Sequence, residues 1–145
     1  GDVFVESSFA IQIALIEAKK IKPVVKVGNL KSLRTFADVR DAVEAYYLLL
    51  TKKPKPGSVY NIGGNYSCTV GEMLNYLLSL SKVKNIKIKK DISRIRPIDA
   101  DLQIPDISKF KNATGWKPKI SFEKTMKDLL NYWRKKVKKQ DYLDR

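Results

Sequence analysis

The first half of the chain alternates between runs of helically spaced apolar residues and short β-branched runs. Segment 4–20 repeats apolar residues every three or four positions and ends in lysines, which predicts a helix. The β-branched run 23–29 is stopped by Gly28 and predicts a strand. In 38–53 the helical spacing returns behind Asp38, a residue suited to a helix N-cap, which predicts a second helix.

The second half continues the alternation. Segment 58–64 reads as a strand that ends in a glycine pair. Segment 69–81 opens with Thr69 and Glu72 at capping-box spacing, which marks the start of a helix. Residues 85–90, "NIKIKK", alternate polar and apolar residues and predict a strand with one face exposed.

Two helices are predicted at the end. Asp106 caps a short helix and Gly115 stops it, and the helix 121–139 follows. The inward face of this last helix is predicted to carry Phe122, Met126, Leu129 or Leu130, and Trp133. The order of elements is therefore helix, strand, helix, strand, helix, strand, helix, helix, which predicts an α/β fold with short strands.

This α/β fold lacks the signature of a complete dinucleotide-binding sheet. No strand runs into a G-x-G-x-x-G spacing, and Gly63 and Gly64 are interpreted as a turn that ends a strand. The Tyr-x-x-x-Lys spacing of many nicotinamide enzymes occurs once, at Tyr132 and Lys136 within the predicted last helix, and no catalytic role is assigned to it.

Length and composition indicate one soluble domain. The chain has 145 residues, of which 43% are apolar, and it contains no run of the roughly 18 apolar residues that would span a bilayer. With no signal-peptide pattern at the N-terminus, we expect a cytoplasmic location and no membrane partner. The single cysteine, Cys68, and the absence of histidine exclude an internal disulfide and a Cys/His metal site.

The net charge of +14 would attract phosphates of nucleic acids, nucleotides or lipids. Much of the excess lies in 82–90 and 117–139, where lysine mostly alternates with apolar residues, as on solvated outer faces of a strand and a helix. A polyanion-binding patch is the alternative interpretation. Because "NIKIKK" has no aromatic residue to stack on bases, nucleic acid is not the expected partner.

Catalysis by these residues alone has little support, because histidine, the usual proton shuttle at neutral pH, is absent. Asp99 and Asp101 would share one face of an extended segment, but an aspartate after Arg-Pro usually satisfies local donors. No catalytic residue is therefore assigned.

Two arginines are better candidates, for binding. Arg34 and Arg96 both lie just outside the predicted elements, where their guanidinium groups suit a diphosphate, and Asp99 can accept a hydrogen bond from a base or sugar. The alternative is internal pairing, of Arg96 with Asp99 or of Arg34 with Asp38, and the residue types alone leave both open.

Five blocks in order carry a family resemblance over nearly the whole chain: "DVFVESSFAIQIALIEA", "VVKVGNLKSLRTFADVRDAVEAYYLLL", "VYNIGG", "RIRPIDADLQIPDISKF" and "TGWKPKISFEKTMKDLLNYWR". They resemble the C-terminal, substrate-binding half of extended short-chain dehydrogenases/reductases that act on nucleotide sugars. The resemblance is nearest to the GDP-mannose 4,6-dehydratases and their GDP-heptose relatives. It implies that residues 1–145 form one substrate-binding domain or fragment, without the Rossmann dinucleotide-binding half.

The resemblance also implies roles for five residues. Arg34 and Arg96 match family arginines that contact the nucleotide diphosphate, and Asp99 matches a carboxylate of the GDP-mannose enzymes. Val25 and Lys26 match the strand that lines the nucleotide pocket. No residue of this chain is implied to bind a cofactor or a metal.

One departure concerns the sugar. After "FV" the GDP-mannose dehydratases typically carry Thr-Arg-Lys, whereas this chain has Glu6, Ser7 and Ser8. The loss of two positive charges loosens the mannose assignment and agrees better with the heptose branch or with the GDP-4-keto-6-deoxymannose reductases, which share several blocks.

The resemblance places the cofactor, NADP or NAD, and the catalytic residues in an N-terminal half that this chain lacks. The implied partners are a GDP-sugar and that missing half, and the chain by itself would be an inactive part of a lyase. A reductase or epimerase that acquires its cofactor domain in trans is an alternative. Because the family interleaves its two halves, the helix from Val39 to Leu50 is expected to expose an apolar patch and to promote self-association.

Overall fold

A computed structural model describes residues 4–52, 54–95 and 102–139, and these ranges consist of helices and short strands, as the predicted α/β class requires. The helices and strands have the following bounds: α1 Val5–Glu17, β1 Val24–Val27, β2 Leu33–Phe36, α2 Val39–Thr51, β3 Tyr66–Thr69, α3 Val70–Ser79, β4 Lys87–Lys90, β5 Leu102–Gln103, α4 Ser108–Thr114 and α5 Phe122–Lys138. A 3-10 helix, Ile92–Arg94, follows β4. No helix in the described ranges is long and apolar enough to cross a membrane.

The strands form two small sheets. β1 pairs with β4 in parallel, with Val24 opposite Lys87 and Val27 opposite Lys90. The second sheet has the order β3-β2-β5, and β2 pairs with β5 in parallel. Parallel pairing agrees with the predicted α/β fold, because parallel strands need crossover connections, which are usually helices.

The described residues fall into two compact units. Unit 1 comprises 1–32, 69–101 and 126–145, and unit 2 comprises 33–68 and 102–125. The prediction of one substrate-binding domain or fragment over the whole chain is not tested by this division.

In unit 1, helix α1 contacts both α3 and β1. The capping box is confirmed, since the Thr69 hydroxyl accepts from the Glu72 N–H at 3.1 Å and the Glu72 carboxylate accepts from the Thr69 N–H at 2.7 Å. The Glu17 carboxylate binds the guanidinium of Arg134 through two hydrogen bonds of 2.7 Å. The buried side chains of unit 1 include Phe9, Ile13, Val25, Met73, Leu74, Leu77, Met126, Leu130 and Val137.

Unit 2 has its own small core, in which Ala45, Phe110 and Trp116 are buried together. Phe122 stacks on Tyr66 with 4.7 Å between ring centroids, so the start of α5 adds a second aromatic contact. Of the two leucines offered for the inward face of α5, Leu130 is the buried one.

Helix ends follow the prediction closely. The Asp38 side chain accepts from the Arg40 N–H and caps α2. Asp106, predicted as the cap of α4, lies one residue before the N-cap Ile107, and its side chain accepts from the Ser108 N–H at 2.9 Å. Gly115 ends α4 as predicted, with φ 76°, in the left-handed region that favours glycine.

The strand predicted over 58–64 is wrong, because this segment joins neither sheet of the described residues. The interpretation of Gly63 and Gly64 as a turn also needs correction, since the structure has no turn at either residue. A Cβ on Gly64 would lie 1.6 Å from the Phe36 carbonyl oxygen, so this glycine allows close packing against β2.

Two further differences concern strands. β2, β3 and β5 were not expected, since the predicted strands were 23–29, 58–64 and 85–90; β2 and β3 have four residues each and β5 has two. β4 is a strand as predicted, but all four of its residues are exposed, so the expected half-buried face is absent there.

Candidate substrate-binding site

Lys26 is held at the centre of β1 by a side chain of α1. The Gln12 amide accepts from the Lys26 N–H at 2.7 Å and donates to the Lys26 carbonyl at 3.1 Å. Among the described residues no strand pairs with this edge of β1, and the amide satisfies both backbone groups of Lys26 in its place. Lys26 is thereby fixed in position while its side chain is exposed to solvent.

Lys89 of β4 lies directly opposite Lys26 in the parallel register. Both ammonium groups therefore leave the same face of the sheet, where their like charges repel each other. Asp91 lies beyond the end of this strand. The Ser93 hydroxyl donates to its carboxylate at 2.6 Å and lowers the pKa of Asp91, and the positive charge of Lys26 adds to this effect.

Val25 points to the opposite side, and none of its surface is exposed. Its side chain packs in the interior, so it could act on a ligand only by fixing the position of β1. Among the two predicted residues of this strand, Lys26 is the one that presents its side chain to solvent.

Arg94 brings a guanidinium group to the first turns of α1. Its Nη1 donates to the Ser8 hydroxyl at 2.9 Å, and its Nε lies 3.7 Å from the Asp91 carboxylate. The backbone of Arg94 packs closely on β1's end, because a Cβ on Gly28 would lie 2.3 Å from the Arg94 carbonyl oxygen. This contact leaves no room for a side chain at position 28, which explains why a glycine follows β1.

Arg34 belongs to unit 2 and lies within β2, so its predicted place outside the regular elements is wrong. Its Nη1 donates to the Gln103 side chain on β5. Beside it, the Thr35 hydroxyl lies 2.8 Å from the Ser67 hydroxyl and donates to the Gln103 carbonyl at 3.0 Å. The Arg34 guanidinium is therefore held in place by β5, the strand that pairs with β2.

Residues 38–41, "DVRD" in the second of the family blocks, have a structural role in unit 2. Arg40 donates to the Asp38 carboxylate through Nε and Nη2, each at 2.8 Å, and the Thr125 hydroxyl donates at 2.7 Å. These hydrogen bonds, with that from Arg40 the largest cause, hold the pKa of Asp38 well below its usual range. The arginine bound to Asp38 here is thus Arg40, a pairing that we did not predict.

The second aspartate of this block, Asp41, is buried and accepts hydrogen bonds from the "GWKPKI" segment, residues 115–120. Its carboxylate accepts from the N–H groups of Lys119 and Ile120 at 3.2 and 3.0 Å. Its carbonyl accepts from the Trp116 indole at 3.2 Å. These two family blocks therefore stabilise the unit through contacts with each other.

The remaining predicted site residues, Arg96 and Asp99, lie outside the described residues, as does Asp101. The convergence of Arg34 and Arg96 on one diphosphate stays a prediction. Lys26 and Val25 belong to unit 1 and Arg34 to unit 2.

Three contributors around Lys26 were missed by the sequence analysis: Gln12, Lys89 and Arg94. A glutamine within the otherwise apolar run 9–16 was the available signal for Gln12, and the alternation of "NIKIKK" was the signal for Lys89. No local pattern singles out Arg94, because its partner Ser8 is 86 positions away in the sequence.

The two units have the fold of the sugar-nucleotide epimerase and dehydratase class within the short-chain dehydrogenases/reductases. The solved structure of RMD from Pseudomonas aeruginosa complexed with NADPH matches with a TM-score of 0.85 and 28% identity. The match covers 94% of this chain and 44% of that one.

Residues 1–129 match the model of the GDP-mannose 4,6 dehydratase family, and the chain belongs to this family. It is 28% identical over 139 residues to the GDP-6-deoxy-D-mannose reductase of Pseudomonas aeruginosa, covering 96% of this chain and 45% of that protein. It is 34% identical over 106 residues to the mouse dTDP-D-glucose 4,6-dehydratase, covering 70% of this chain and 29% of that protein. The chain therefore spans less than half the length of these relatives.

Proposed function

We propose that this chain is the sugar-nucleotide-binding portion of a GDP-mannose or GDP-heptose 4,6-dehydratase, is inactive by itself, and acts in the cytoplasm. The family match over residues 1–129 is the observation that carries the proposal. The chain lacks the G-x-G-x-x-G cofactor spacing, so the remaining part of the enzyme would supply hydride transfer through bound NADP or NAD.

In this proposal the chain's own residues bind and orient the substrate. Arg34 and Arg96 would hold the diphosphate by charge-assisted hydrogen bonds, and Asp99 would accept from the base or sugar. Lys26, fixed by Gln12, would present a positive charge beside the nucleotide, and the buried Val25 would hold the strand in place. Holding the diphosphate at two points limits the positions that the sugar can take, which favours reaction at one carbon.

Lys89 and Arg94 extend this binding role. They bring two more positive charges to the Lys26 region of unit 1, where the Asp91 carboxylate lies 3.7 Å from the Arg94 Nε. An anionic ligand near this face would relieve the repulsion between Lys26 and Lys89.

Isothermal titration calorimetry with GDP, GDP-mannose, UDP and dTDP tests the proposal. We expect GDP to bind at least tenfold more tightly than UDP or dTDP, which corresponds to about 1.4 kcal/mol. Lys26→Ala should weaken GDP binding, whereas the matched variant Lys109→Ala in unit 2 should leave it unchanged. Equal binding of all four ligands, or none, would contradict the proposal.

A reductase portion is the second candidate. Its support is the similarity over 96% of this chain to a GDP-6-deoxy-D-mannose reductase, together with Glu6, Ser7 and Ser8 in place of the dehydratase sequence. Tighter binding of GDP-6-deoxy-mannose than of GDP-mannose would favour this candidate, and the reverse order would favour the dehydratase.

A further inference from the structure

Strand β4 lies at the edge of the two-stranded sheet of unit 1. One side of the strand carries the parallel ladder to β1. The Lys87 N–H donates to the Pro23 carbonyl at 2.9 Å, and the Asp91 N–H donates to the Val27 carbonyl at 2.8 Å. These hydrogen bonds fix which residues of β4 direct their backbone groups towards β1.

Ile88 and Lys90 direct their backbone groups to the other side. Alternate residues of a strand point their N–H and C=O groups to opposite edges, so those of Ile88 and Lys90 point away from β1. We call these backbone groups the outer edge of β4. No strand of the described ranges pairs with it. Backbone groups at such an edge form a template to which a further strand can be added.

The opposite edge of the same sheet is closed. There the buried Gln12 side chain binds the N–H and the carbonyl of Lys26 at 2.7 and 3.1 Å, so a strand could be added only by displacing this amide. All four residues of β4 are exposed, in contrast. Within the described part of unit 1, the edge of this sheet that is open to solvent is therefore that of β4.

The outer edge of β4 lies in a strongly basic segment. Residues 82–90 contain no aspartate or glutamate, and all of their lysines are exposed. These lysines are Lys82, Lys84, Lys87, Lys89 and Lys90. The nearest acidic residue in the sequence, Asp91, accepts from the Ser93 hydroxyl at 2.6 Å and lies 3.7 Å from the Arg94 Nε. The positive charge of β4 is therefore largely uncompensated along the strand.

This charge decides which strand fits the edge. A second copy of β4 would bring lysine next to lysine, and such edge lysines normally prevent pairing between copies. A strand with carboxylates on the face of Lys87 and Lys89 would instead be attracted. On the other face, Ile88 is 45% exposed and offers an apolar contact. An extended segment that alternates acidic and apolar residues matches both faces.

We propose that the outer edge of β4 is an interaction surface that accepts an extended acidic segment of another protein as a further strand of this sheet. The backbone of Ile88 and Lys90 would supply the pairing, and the lysines would select acidic side chains. A nucleic acid fits less well, because its phosphates would meet the lysines but could not continue the backbone ladder. The inference does not rest on the proposed function, since the proposed site does not use the backbone of these two residues.

The test uses the whole 145-residue chain and synthetic peptides of about ten residues. The acidic peptide alternates glutamate with valine. One matched peptide has lysine in place of glutamate, and another keeps the glutamates but has prolines in place of the central valines, which removes backbone donors. We expect the acidic peptide to bind more tightly than either matched peptide and to bind less tightly as the salt concentration rises.

Hydrogen exchange measured by NMR at single amides shows how the acidic peptide binds. Exchange should slow about tenfold at the amides of Ile88 and Lys90 and change little at those of Lys87 and Asp91, which already donate to β1. Ile88→Pro removes an outward N–H without removing a bond to β1, and it should weaken binding of the acidic peptide about tenfold.

A charge variant tests the selection of acidic side chains. Lys87→Gln with Lys90→Gln should weaken binding of the acidic peptide about fivefold. Its matched control is Lys127→Gln with Lys135→Gln, which removes the same charge from exposed positions of α5 and should change the affinity little. Circular dichroism verifies that each variant is folded.

Several results would overturn the inference. One is the absence of acidic-peptide binding at about 1 mM, and another is equal binding of the acidic and lysine peptides. A third is binding without slower exchange at Ile88 and Lys90, or binding that both Ile88→Pro and the charge variant leave unchanged. Tighter binding of duplex DNA than of the acidic peptide, with no protection of these amides, would assign the basic segment to nucleic acid instead.

Discussion

Two leucines on neighbouring helices of the chain have opposite environments. Leu74 of α3, in unit 1, has no exposed surface, whereas Leu50 of α2, in unit 2, is 76% exposed. Both belong to helices with a polar N-cap and an apolar stripe, so helix formation alone does not explain the difference. The two apolar stripes differ in whether other described residues pack over them.

Unit 1 places most of the apolar residues of α1 and α3 in the interior, and Glu17 with Arg134 ties the end of α1 to α5. Unit 2 buries only Asp41 and Ala45 of α2. The comparison shows that an amphipathic pattern predicts that a face will be covered, but not that the covering residues belong to the same stretch of chain.

The largest expected effect comes from substituting the two leucines in the same way. Leu74→Ala should lower the free energy of unfolding by about 3 kcal/mol, because it leaves a cavity in the core. Leu50→Ala should change it by less than about 0.5 kcal/mol, because the side chain is already in water. Urea denaturation followed by circular dichroism measures both, and equal losses would show that α2 is covered in solution.

The second effect concerns the ion pair of unit 1. Glu17→Gln should lower the free energy of unfolding by about 2 kcal/mol, since it leaves the largely buried Arg134 without its carboxylate partner. Lys119→Gln, which removes an exposed ion pair with Glu44 in unit 2, should cost less than about 1 kcal/mol. Thermal unfolding of the two variants makes this comparison, and a larger loss for Lys119→Gln would contradict it.

The third effect concerns the helix cap of unit 2 and depends on pH. Asp38→Asn should cost about 1.5 kcal/mol at pH 7, because the variant keeps a capping side chain but loses the charged bond to Arg40. The folded pKa of Asp38 is lowered, so its contribution is present above the unfolded pKa of about 4 and is lost as the pH falls further. Denaturation at several pH values should show the difference between wild type and variant shrinking below about pH 4. A difference that grows there would contradict the assignment.

The smallest effect is self-association of the chain alone. We expect weak association through the exposed apolar residues of α2, which include Val43 and Leu50. This association should increase with salt, because salt screens the repulsion between copies. Leu50→Glu should reduce it, whereas Ile92→Glu should not. Gel filtration over a range of concentrations detects the effect, and a clean monomer at both low and high salt would contradict the expected self-association.

Local sequence patterns predicted the helices well, because helix caps and helical periodicity depend on residues that are close together in the sequence. The capping box at Thr69, the stop at Gly115 and the inward side chains of α5 were all confirmed. Strands were predicted less well, because a strand exists only with a partner. Segment 59–62 alternates exposed and partly buried side chains as a strand does but joins no sheet of the described residues, and the two residues of β5 are too few to show a pattern.

The candidate site was likewise predicted only in part from the sequence. Lys26 could be chosen from the family resemblance, but the amide of Gln12 that fixes it and the guanidinium of Arg94 beside Ser8 depend on long-range contacts. Arg34 was identified as a candidate, but its position within β2 was missed because its support comes from Gln103, which is 69 positions away.

Comparing GDP with guanosine tests the proposed diphosphate site most directly. Titration calorimetry of wild type, Arg34→Ala and Arg96→Ala should show that each substitution weakens GDP at least tenfold and changes guanosine binding little. Arg40→Ala is the matched control, because Arg40 is bound to Asp38, and it should alter stability rather than the ratio of the two affinities. Equal losses of GDP and guanosine in the Arg34 and Arg96 variants would show that these arginines have a structural role and would contradict the proposed diphosphate site.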